Sequence, residues 1–378
     1  MSALPQGSDA DGSDAQGSDD ATGAEVPDPA LQPGVTVQPG VTAQPGVTVV
    51  IPVLDEERHL AASVRRILAQ AYGGDLEVVL ALGPSTDGTD AIAAELAAAD
   101  PRVRLVRNPS GRTPAGLNAA IAASTYPIVV RVDGHGLLSD GYIARAVELL
   151  ASTGAANVGG VMAAEGETPF EHAVARAMTT KLGVGAARFH TGGEAGPADS
   201  VYLGVFPRDV LARMGGYDEA FVRAQDWELN HRLREADLLV WFDPSLQVTY
   251  RPRHDTRALA KQYFNYGRWR RVVMRQHRGT VSLRYLAAPT ALVGIVLGTV
   301  VGVFLTPVGY VLPAGYVVLV LAGAAATGRG LPPAALLRLP GVYATMHLAW
   351  GAGFLTSPRS LAREVRHGSA AWRRTRED

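Results

Sequence analysis

The 378-residue sequence contains no cysteine, which excludes disulfides and thiolate metal centres and fits a reducing compartment. Its first 30 residues carry no lysine or arginine, against seven acids: Asp9, Asp11, Asp14, Asp19, Asp20, Glu25 and Asp28. The chain as a whole has 35 bases and 36 acids, so subtracting those seven leaves 35 against 29, a remainder of about +6. The N-terminus also lacks the basic start and apolar core of a signal peptide. No GxGxxG turn and no Walker loop occurs, so neither common Gly-rich cradle for a pyrophosphate is available. Where a dinucleotide fold places its glycines, after the first strand, this chain has "LDEE", whose acids repel phosphate but can hydrogen-bond a base or ribose.

The opening "GSDADGSDAQGSDD" is too polar to bury a core. "QPGVTVQPGVTAQPGVTV" follows as three copies of a Pro/Gly-rich unit, too few for a solenoid. Residues 1–45 are therefore expected to be a disordered acidic and repeat-bearing linker. From residue 46 the pattern alternates. Strands are predicted at "VTVVIPV", "LEVVLAL", "VRLVRN" and "PIVVRVD", with helices over Asp55–Ala71, Thr89–Ala99 and Thr113–Ala123 between them. Such alternation implies parallel βαβ units in an α/β sheet, with ligands at the carboxyl ends of the strands. Those ends hold "LDEE", "GPSTDG" and "DGHG".

Residues 285–328 contain no charged side chain, 44 in a row. A helix needs about 20 apolar residues to cross a bilayer, so the run fits two passes with "TPVG" as the turn. A third apolar segment, Ala334–Thr356, contains Arg338 and His347. Residues 257–284 hold eight Lys/Arg and no acid, and residues 357–378 hold six Arg. Both basic flanks favour the cytoplasmic side, which prefers two spans plus an interfacial or re-entrant third segment over three spans. The expected division is a catalytic domain over 46–275, a juxtamembrane and transmembrane region over 276–356, and a basic cytoplasmic tail over 357–378.

Two motifs carry chemistry. In "IVVRVDGHG", Asp133 and His135 sit one residue apart on a Gly-spaced turn at a strand end; a carboxylate and an imidazole suit Mn²⁺ or Mg²⁺. The plain alternative is an Asp-Gly turn, which both residues favour anyway. In "RAQDWELNHRLREA", Asp226 falls at the start of a helix. It is either a cap or a carboxylate held ionised by the helix dipole and able to accept a hydroxyl proton. Trp227 beside it offers an apolar face to a sugar ring, or packs in the core.

The ordered set "IPVLDEE", "STDGT", "NPSGRTPAGLNAAI", "VDGH", "GGYDEAF" and "QDWELNHRLREA" resembles the family 2 glycosyltransferases, inverting enzymes of the nucleotide-sugar-dependent GT-A fold. Within them "DGH", "GVGAARFH", "QDWELNHRLR" and "QYFNYGRW" resemble the branch that extends bacterial exopolysaccharide such as succinoglycan. The resemblance implies that Pro52, Val53 and Glu56 line the nucleoside pocket and that Arg112 and Asn118 border the donor. It implies Asp133 and His135 as metal ligands, Asp226 as general base, and Gln225 and Trp227 at the acceptor. Leu82 and Gly83 stand where relatives often have two acids before "STDGT", which leaves the base open. Gln262 is too far from Arg268–Trp269 for the Gln-x-x-Arg-Trp motif of processive synthases. Arg251, Arg253, His254, Arg268 and Arg271 face either phosphates or anionic lipid.

The expected protein is thus a membrane-anchored, inverting, metal-dependent enzyme at the inner membrane with its catalytic domain in the cytoplasm. Its expected partners are a nucleotide-diphosphate sugar, membrane lipid, and a lipid-linked saccharide acceptor. Polyprenyl phosphate as acceptor, or an inactive nucleotide-sugar-binding scaffold subunit, are the competing readings. Nucleic acid is not an expected partner, because the basic stretch directly precedes the uncharged run.

Overall fold

A computed structural model describes residues 44–277, 280 and 285–377, the side chains only as far as 372. The linker expected over 1–45 lies outside these residues but for Gln44 and Pro45. Three β/α units open the chain: β1 (Val47–Val53), α1 (Leu60–Leu68), β2 (Leu76–Leu82), α2 (Thr89–Ala99), β3 (Val103–Arg107) and α3 (Thr113–Ala122). They lead into β4 (Ile128–Arg131) and the short β5 (Leu137–Leu138). Next come α4 (Tyr142–Thr153), β6 (Asn157–Ala164), α5 (Pro169–Met178), two single turns α6 (Lys181–Val184) and α7 (Arg188–Thr191), and β7 (Gly196–Pro197). β8 (Tyr202–Pro207), α8 (Arg208–Arg213), α9 (Gln225–Glu235) and β9 (Val240–Tyr250) complete the sheet.

The strands run β3-β2-β1-β4-β8-β6-β9-β5, with β7 against β9. β1 is parallel to both β2 and β4, whereas β4 pairs antiparallel with β8. This is a mixed α/β sheet. The chain reverses direction of build between β1 and β4, which makes their carboxyl ends the switch point where open α/β sheets bind ligands. Near-continuous burial of "VTVVIPV", "LEVVLA" and "IVVR" follows from helices on both faces. One core layer holds Leu60, Val64 and Ile67 of α1 with Ile143 and Ala146 of α4; the other holds Leu117 of α3 with Leu229 and Leu233 of α9.

The helix expected from Asp55 begins only at Leu60. The acidic turn before it pairs with the "STDGT" loop instead: Asp55 Oδ1 accepts from the Thr86 amide at 2.8 Å, and the Glu56 amide donates to Thr89 Oγ1 at 2.8 Å. Side-chain acceptors at the start of a segment offer the backbone an alternative to helix, and here they win.

Beyond the sheet lie α10 (Thr256–Gln276), α11 (Ala287–Phe304), a 3-10 turn (Pro307–Tyr310), α12 (Val311–Thr327), α13 (Pro333–Leu336), α14 (Leu339–Thr356) and α15 (Arg359–Glu377). The spans Ala287–Phe304 and Pro307–Thr327 are long and apolar enough to cross a membrane, and only 11% and 17% of them is buried. Val296, Leu297, Val300, Val303 and Phe304 are exposed. α14 differs. It buries Val342, Tyr343, Met346 and Phe354 and lies along α10, where Gly353 and Gly267 allow backbones to approach so closely that a Cβ at either would meet a carbonyl. The tail expected over 357–378 contributes α15. Ala362 and Val365 of α15 pack with Phe221, Trp269 and Val272.

Candidate active site

Arg131, the last residue of β4, is 3% exposed. A buried guanidinium needs carboxylates, and it has two: Nη2 donates to Asp133 Oδ1 and Nη1 to Asp226 Oδ2, each at 2.8 Å. The strand-end motif and the start of α9 are thereby brought to one place. Burial works against the Arg131 charge, but the two carboxylates more than offset it and hold the group above its ordinary range. Asp226 responds in the other direction. Burial, opposed by Arg131 and reinforced by Asp133, pushes its carboxyl up to about 6.

Three buried polar atoms here lack hydrogen-bond partners: Asp226 Oδ1, Arg131 Nε and the hydroxyl of Tyr217. Buried polar groups are normally satisfied, and unpaired ones are accounted for by strain, a catalytic role, or a bound water or ion. Backbone strain gathers at the same place. Leu203 (φ 59), beside the β8 partner of Arg131, and Ala224 (φ 63), before α9, are left-handed without being glycine, as is Asp55 (φ 54) in the acidic turn. Each such residue costs about 1–3 kcal/mol and persists where the surroundings impose it.

His135 Nδ1 donates to Glu56 Oε1 at 2.7 Å. Gly134 makes this possible, since a Cβ there would lie 2.8 Å from Glu56 Cγ. Burial lowers the proton affinity of His135, but Glu56 and Asp133 more than offset it and hold the imidazole above its ordinary range. A carboxylate on Nδ1 fixes the tautomer with Nε2 as acceptor, an arrangement common behind metal-binding histidines. The donor set left over, an Asp133 oxygen and His135 Nε2, has the chemistry of a Mn²⁺ or Mg²⁺ site.

The remaining expected site residues divide. Glu56 lies against His135, at the metal-type pair. Val53 is 1% exposed with its side chain in the core, so only its carbonyl, which accepts from the Gly83 amide, faces the loop. Pro52 is half-buried over Gly116 of α3, and Arg112 is exposed at the start of α3. Asn118 has its whole amide engaged: Nδ2 donates to the Tyr217 carbonyl and to Glu219, and Oδ1 accepts from the Tyr217 amide at 2.8 Å. It positions the loop that carries Tyr217. Arg232 of α9 grips the same loop through the Met214 and Gly216 carbonyls while pairing with buried Glu228 at 2.7 Å. Gln225 is half-buried on the first turn of α9. Trp227 is already engaged by protein, stacked on His231 (5.0 Å, 19°) and under the Arg270 guanidinium.

Of the basic residues, Arg251 pairs with Glu165 and Glu167, His254 with Asp255, and Arg271 lies over Phe354. Arg131 and Tyr217 were not singled out by the sequence. The one available signal was a charged residue inside an otherwise β-branched strand.

Comparison with known proteins adds three findings. The sequence profile described as Glycosyl transferase family 2 matches residues 48–214. The succinoglycan biosynthesis protein ExoA of Rhizobium meliloti (strain 1021) is 34% identical over 327 residues, covering 84% of this chain and 96% of that protein. Among solved structures, mannosyltransferase PcManGT from Pyrobaculum calidifontis, in complex with GDP-Man and Mn²⁺, is similar with a TM-score of 0.53. It is 22% identical, and the match covers 84% of this chain and 88% of that one, a likeness of fold.

Proposed function

The chain belongs to the family 2 glycosyltransferases, in the exopolysaccharide branch, and from that premise we propose an inverting, metal-dependent transfer of a sugar from a nucleotide-diphosphate donor to a lipid-linked saccharide at the inner membrane. The observation that carries the proposal is the Arg131 bridge, which joins a metal-type ligand pair and a carboxylate of raised pKa at the sheet's switch point.

Asp133 and His135 are the residues that would hold a divalent ion, which when bound supplies charge neutralisation to a departing diphosphate. Glu56 orients His135. Asp226 takes the proton of the acceptor hydroxyl as that hydroxyl oxygen bonds to the anomeric carbon from the face opposite the leaving group. A pKa of about 6 keeps the base ionised near neutral pH yet still a useful proton acceptor. Arg131 keeps Asp226 and Asp133 apart in charge and fixed in position, so no reorganisation is needed as charge shifts. The base of the nucleotide is left open, and Gln225 is the acceptor contact retained on α9.

Membrane anchoring rests on α11 and α12. At 18 residues, α11 is about 27 Å long, close to the ~30 Å hydrocarbon thickness. The packing of α14 and α15 against α10 supports two spans, with both basic flanks and the catalytic domain on the cytoplasmic side, as basic flanks favour.

The testing experiment supplies the detergent-purified protein with nucleotide-diphosphate sugars and two acceptors. Transfer to a polyprenyl-diphosphate-linked saccharide supports the proposal. Transfer to polyprenyl phosphate alone would replace it with the simpler lipid-glycosylating reaction, and binding without turnover on either acceptor would leave a scaffold.

A further inference from the structure

Helix α9 carries Asp226 on its first turn and, on a different face, a residue set the proposed transfer does not use. His231 and Glu235 are four apart, one turn of helix, so their side chains meet: Nε2 lies 3.1 Å from Oε1. Two ligands each about 2.0–2.1 Å from a tetrahedral ion stand roughly 3.3 Å apart, so this pair already has the bite of a metal chelate. His277, immediately after α10, completes the group. Its ring meets that of His231 edge-on at 4.5 Å and 79°, and one ligand atom from each of His231, Glu235 and His277 lies within 4.8 Å of the others.

An i, i+4 His–Glu contact alone would be an ordinary helix-surface pair. The second imidazole, brought in from the end of α10 to within 4.8 Å of both, makes it a site. We propose that His231, Glu235 and His277 bind a Zn²⁺-class transition-metal ion, separate from the Mn²⁺/Mg²⁺-type pair Asp133 and His135. Two imidazoles and one carboxylate favour Zn²⁺ over Mg²⁺ or Mn²⁺. Three protein ligands, with Glu235 exposed to solvent, leave a fourth position for water. The ion would clip the far half of α9 to the end of α10, the helix that precedes the apolar spans. Trp227, stacked on His231 and edge-on to His277 at 5.9 Å, supplies the packed wall that holds both rings.

The test uses the full chain in detergent, stripped with a chelator and titrated with Co²⁺ as a visible reporter. We expect one equivalent with the strong d–d absorption of a low-coordinate site, displaced by Zn²⁺. The absorption should persist when Asp133 and His135 are both changed to Asn. It should weaken by more than about tenfold in affinity in both Glu235→Gln and His277→Asn. Glu235 is on the surface, so that variant keeps the fold. Absence of the absorption, its loss in the Asp133/His135 double variant, or wild-type affinity in either Glu235→Gln or His277→Asn would overturn the proposal.

Discussion

Asp133 and Asp226, from different elements of the fold, are held by opposite arms of one buried guanidinium, each 2.8 Å from an Arg131 nitrogen. Two carboxylates that would otherwise repel are thereby kept side by side, one for the metal-type pair and one left with an unpaired oxygen.

The acid limb of the rate is the first consequence. A general base works only deprotonated, and burial raises Asp226 to about 6. The value of kcat/KM should therefore fall about tenfold per pH unit below pH 6 and level off above it. A limb near pH 4, the range of an unperturbed aspartate, would assign the base elsewhere.

Arg131 gives the second. Arg131→Met leaves two half-buried carboxylates without their cation and should destabilise the fold by about 1–3 kcal/mol, read from denaturant unfolding of the catalytic region. Arg131→Lys keeps the charge but not the two-armed fork, so it should fall between wild type and Arg131→Met. Equal stability in all three would mean that the bridge holds nothing together.

Glu56 gives the third. Glu56→Gln keeps the shape of the side chain but removes the charge behind His135 Nδ1. Mn²⁺ affinity measured by titration calorimetry should drop by roughly 10- to 100-fold. An unchanged affinity would remove Glu56 from the metal-type pair and return it to the nucleoside.

The absence of cysteine makes membrane topology accessible. Thr306→Cys, in the turn between α11 and α12, should react with a membrane-impermeant maleimide on intact cells. Ser360→Cys, at the start of α15, should react only after permeabilisation. The same labelling at both positions would contradict two spans.

Much of this was legible in the sequence, and for identifiable reasons. The strands at 47–53 and 76–82 and the helix at 89–99 read correctly because burial on both faces makes strands continuously apolar, and turn residues bound them. The GT-A-like fold and the family followed from the order of the motifs. The start of α1 did not, because Asp55 and Glu57 bind a loop thirty residues away, a contact that local pattern does not encode. Arg131 was in view inside "IVVRVDGHG", but its function depends on which carboxylate reaches it, and Asp226 arrives from 95 residues further along the chain. Trp227 read either as a sugar platform or as core, and which neighbour stacks on it, the imidazole of His231 one turn on, is a matter of tertiary packing.

The most direct test of the account separates binding from chemistry in one residue. Nucleotide-diphosphate binding in the presence of Mn²⁺, followed by thermal shift, and sugar transfer should be measured on wild type and on Asp226→Asn. The account predicts that Asp226→Asn keeps metal-dependent nucleotide binding and loses about 10²- to 10⁴-fold in transfer rate. Transfer by Asp226→Asn at the wild-type rate would contradict it.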